Sequence, residues 1–66
     1  MENLNIEQAE KFKVLKIAAE GGNISAMLEL SECYKKGIGT TPDLKLANYW
    51  HDRANGFSKN VSIENN

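Results

Sequence analysis

The chain has 66 residues, a formal net charge of −1, and 41% hydrophobic and 26% charged side chains. That allows one domain with a marginal core, because a chain this short buries only roughly 60% of the surface it exposes when unfolded. One cysteine, Cys33, excludes an internal disulfide and, with the lone His51, falls short of a four-ligand zinc site, while the near-neutral charge gives no general attraction to nucleic-acid phosphates or anionic lipid.

The chain opens MENLNIEQ, with an acid where a secretory leader would be basic and no apolar stretch after it, so no export signal is expected. No run approaches the roughly 18 apolar residues of a membrane span, and the expected setting is soluble, reducing and cytoplasmic. Asn5, three residues before Gln8, has the spacing of a capping box and predicts a helix over residues 6–20, stopped by Gly21 and Gly22. Glu7 with Lys11 and Glu10 with Lys13 are spaced to pair along that helix. Asn23 is the expected cap of a second helix, which ends at Lys35 and Lys36 where positive charge suits the macrodipole, before Gly37. Thr41, Pro42 and Asp43 predict the start of a third helix, with Thr41 as cap and Pro42 at the first helical position, ending near Asn55 ahead of Gly56. These segments make the chain all-α, with residues 1–57 as one domain and residues 58–66 as a polar tail carrying Val61 and Ile63.

At 100° per residue, the third helix gathers Leu44, Leu46, Ala47, Trp50 and Ala54 on one side, opposite Lys45, Asn48 and Asp52. The second helix spreads Ala26, Met27, Leu28, Leu30, Cys33 and Tyr34 over a broad arc, leaving Ser25, Glu29, Glu32 and Lys36 for water. It is therefore expected in the middle, packed from both sides. The first helix directs Leu4, Phe12, Leu15 and Ala19 at the second and points Ile6, Val14 and Ile17 elsewhere. Ala26, Ala47 and Ala54 permit close helix axes, Trp50 and Tyr34 fill the remaining space, and Gly37 with Gly39 gives the turn its backbone freedom.

These residues resemble the Sel-one-like repeat of the tetratricopeptide-like superfamily, a unit of two antiparallel helices, A and B. Asn23, Ala26, Leu30 and Tyr34 fall on the marked positions of helix A, Gly37 and Gly39 on the glycine turn, and Asp43, Ala47, Trp50 and Ala54 on helix B. Residues 16–23, KIAAEGGN, look like the end of a preceding helix B. The resemblance thus implies about one and a half repeats: a three-helix fragment of an α–α superhelix, helix B followed by a helix A/helix B hairpin. Ser31 departs from the family's usual glycine, and Gly56 from its longer helix B.

A repeat buries its apolar face against neighbours, and about three are usual in a stable stack. The expected function is therefore a non-catalytic protein–protein interaction module, a small adaptor or inhibitor docking on a larger protein, or a copy that self-associates. A phage or mobile-element protein blocking a host complex would suit so small a product. The partner-binding candidates are the apolar group Ile6, Val14 and Ile17, and a polar strip of Glu29 and Glu32 joined by Tyr49 and Arg53; the resemblance favours the strip, since the superfamily commonly binds along its helix A side. Both groups also have plain structural roles open to them, Ile6, Val14 and Ile17 under the N-terminus or under Val61 and Ile63, and the charges as a solvated face. Catalysis is not expected, because His51 and Asp52 are helix neighbours about 100° apart, Cys33 lies on the buried arc, and Gly37-Ile38-Gly39 lacks the strand and lysine of a phosphate loop. The alternative is a helix-turn-helix DNA-binding regulator using Lys45, His51 and Arg53, which do not share a face and stand beside Asp43 and Asp52.

Overall fold

The computed structural model describes the backbone of residues 2–64 and the side chains of residues 6–56. Among the described residues the chain forms three helices and no strand: α1 (Glu2–Glu20), α2 (Ile24–Lys36) and α3 (Leu44–Glu64). The all-α class follows directly.

Helix ends show how local chemistry places these elements. At the end of α1, Gly22 adopts φ 100°, the Asn23 amide donates to the Ala18 carbonyl (3.0 Å), and the Gly22 amide donates to that of Ala19 (3.0 Å). This pairing is a Schellman stop. Asn23 then caps α2 as expected, its Oδ1 accepting the Ala26 amide at 2.9 Å. Gly37, with φ 76°, closes α2, and the amides of Gly37 and Ile38 both donate to the Cys33 carbonyl at 2.7 and 2.9 Å.

Three expected boundaries are corrected. Helix α1 begins at Glu2, so Asn5 lies inside it and is not its cap; residues 2–5 contain no glycine or proline, and the helix propagates back through them. Helix α3 is capped by Asp43, whose Oδ1 accepts the Leu46 amide at 3.1 Å, which leaves Thr41 and Pro42 in the connecting loop. The Asp43 amide donates to the Tyr34 carbonyl at 2.8 Å, and this bond fixes where the new helix can start. Helix α3 also runs through Gly56 to Glu64. Gly56 has no positive φ, and an interior glycine costs only about 1 kcal/mol relative to alanine, too little to end a helix.

The middle position of α2 is as expected: it packs against both α1 and α3, whose backbones do not approach each other among the described residues. Ala19, Ala26, Met27, Leu30, Tyr34, Ala47, Trp50 and Ala54 form the buried core, with Phe12, Leu15, Ala18 and Ile24 packed against it. Ser31 is buried in the α2–α3 seam, where its hydroxyl donates to the Ala47 carbonyl at 2.7 Å. Leu28, Leu44 and Leu46 are corrections, since all three are exposed. Leu44 and Leu46 lie about 80° to either side of the Ala47–Trp50–Ala54 seam at 100° per residue, at the edges of the face turned to α2.

Candidate protein-docking surfaces

The outer side of α1 is formed by the residues its buried side leaves over. Phe12, Leu15 and Ala19 face α2, whereas Ile6, Val14 and Ile17 remain 58%, 64% and 69% exposed. The sequence left open whether the N-terminus or the tail covers this group; the three side chains are exposed. The side chains of Leu4, Val61 and Ile63 lie outside the described residues.

A second surface is a groove of about 430 Å³ between α1 and α2. Phe12, Leu15, Cys33 and Ile38 supply its apolar lining, and Gln8, Lys11, Glu29, Glu32 and Lys36 its polar lining. Gly39 packs against two of these lining residues, Gln8 and Phe12. With φ 74°, the glycine brings the α2–α3 loop onto α1, where any Cβ would collide with the Gln8 carbonyl and come within 2.9 Å of the Phe12 Cβ. Phe12 then meets Tyr34 edge to face, with ring centroids 5.3 Å apart and planes at 89°. Lys36 pairs with Glu32 at 3.4 Å across one helical turn, both side chains largely in water. Among the described residues no ion pair within 4 Å joins Glu7 to Lys11 or Glu10 to Lys13. Solvation of exposed charges offsets most of what such pairs would gain.

The polar strip is divided by the fold. Glu29 and Glu32 line the groove, whereas Tyr49 and Arg53 do not; they gather around Trp50 on α3. Tyr49 meets Trp50 edge to face at 5.1 Å, and the Arg53 guanidinium stands 6.0 Å from the Trp50 ring centre. Sequence reasoning placed Phe12 and Leu15 in the core and overlooked Gln8, Lys11 and Ile38 as a lining. Its one available signal was Gly39, read as a turn residue and not as a close contact with α1.

The cysteine that lines the groove is held in its thiol form. Burial pushes the Cys33 thiol above its ordinary 9.0, Lys11 partly opposing and Glu29 and Glu32 adding to the rise, so the sulfur stays protonated near neutrality. His51 makes an exposed 3.3 Å contact through Nδ1 with Asn55. Among the described residues no group of three or more His, Cys, Asp or Glu side chains is arranged to hold a metal ion, and no helix is long and apolar enough to cross a membrane.

These features define, among the described residues, a small three-helix, all-α protein with an exposed apolar group on its first helix. Compared with protein-family models, curated proteins and solved structures, the chain matches none.

Proposed function

We propose that this chain is a non-catalytic protein–protein interaction module, a Sel-one-like helical-repeat fragment that docks on a larger protein as a small adaptor or inhibitor in the cytoplasm. The observation that carries the reading is the exposure of Ile6, Val14 and Ile17 on a helix whose other side is already committed to the core. Isolated exposed apolar residues are ordinary, but three large aliphatics on one helix face are what a docking helix presents to a partner.

The repeat assignment draws support from where its marked residues sit. Asn23 and Asp43 cap the two helices of the hairpin, Gly37 and Gly39 take left-handed backbone, and Ala26, Leu30, Tyr34, Ala47, Trp50 and Ala54 are buried. Ser31 fits the position usually held by glycine because its small side chain is accommodated within the seam.

The test is comparative affinity capture with the wild-type chain, Ile17→Asp and Glu10→Gln as baits. The reading expects a protein retained by wild type and Glu10→Gln and lost with Ile17→Asp, while circular dichroism shows all three baits equally helical. Retention of the same proteins by all three would remove the α1 face from the reading. Tight, salt-sensitive binding to duplex DNA would replace the interaction module with a DNA-binding regulator.

A further inference from the structure

We draw no further inference here: the strongest candidate, the groove between α1 and α2 lined by Phe12, Leu15, Cys33 and Ile38, carries Lys11 and Lys36 together with Glu29 and Glu32, so its charge selects no occupant and nothing in the structure shows what covers it.

Discussion

The Ser31 hydroxyl donates a buried 2.7 Å hydrogen bond to the Ala47 carbonyl, joining the second helix to the third by a side chain too small to push them apart. A neutral bond of this kind contributes about 0.5–1.5 kcal/mol net. Ser31→Ala loses it but regains helix propensity, so the expected loss is at most about 1 kcal/mol. Ser31→Gly loses the bond and some propensity as well, about 1–2 kcal/mol. Ser31→Leu overpacks the seam by about 1–3 kcal/mol. Urea denaturation checks the order, wild type above alanine above glycine, with unchanged slope.

The two glycines on either side of the third helix's start and middle should respond in opposite directions. Gly39→Ala introduces a Cβ at φ 74° against the Gln8 carbonyl and the Phe12 Cβ, and is expected to destabilise by more than about 1 kcal/mol. Gly56→Ala meets nothing within 4 Å, and inside a continuous helix should stabilise by up to about 1 kcal/mol. Thermal melts of both variants decide this; a neutral or destabilising Gly56→Ala would mean the helix does not pass through that residue.

Burial separates leucines of equal size. Leu30 is fully buried and Leu44 is 66% exposed. Leu30→Ala should cost about 2–5 kcal/mol, a large share of what so small a domain has, and Leu44→Ala no more than about 0.5 kcal/mol. Far-ultraviolet circular dichroism at 25 °C should show Leu30→Ala largely unfolded and Leu44→Ala native.

Two side chains hold their protons more tightly in the folded chain than in the unfolded one. Burial lifts Cys33 above its ordinary 9.0 and Tyr34 above its ordinary 10.0, Tyr34 being lifted further by the charges of Asp43 and Glu20. Since the unfolded chain releases these protons first, their contribution to stability is complete below about pH 9 and is lost as pH rises through the folded-state values. Urea midpoints measured from pH 7 to pH 11 should hold steady and then fall, and Cys33→Ala should remove part of the fall. Alkylation of Cys33 near pH 8 should be slow in the native state and fast in urea.

How much was legible in the sequence depends on how local the deciding physics is. Asn23 and Gly37 were readable because a single side chain, or the lack of one, sets the helix end. Asn5 and Gly56 misled for the same reason in reverse: each is compatible with an end, but neither forces one when the neighbouring residues continue the helix. Thr41 lost the cap to Asp43 because the Asp43 amide is held by the Tyr34 carbonyl, a contact across the turn that spacing alone does not reveal. The grouping of Ile6, Val14 and Ile17 on one face was legible from periodicity, since the faces of α1 are fixed at 100° per residue, whereas their exposure was not. The groove was not, because its lining comes from α1, α2 and the loop residue Ile38, which only the packing of the chain brings together.

The account rests most directly on the affinity of the captured protein for this chain, measured by calorimetry with wild type and Ile17→Asp. We expect Ile17→Asp to bind at least about tenfold more weakly, a loss of about 1.4 kcal/mol or more, while melting at the wild-type temperature. Equal affinities from two equally folded chains would contradict docking through the outer face of the first helix.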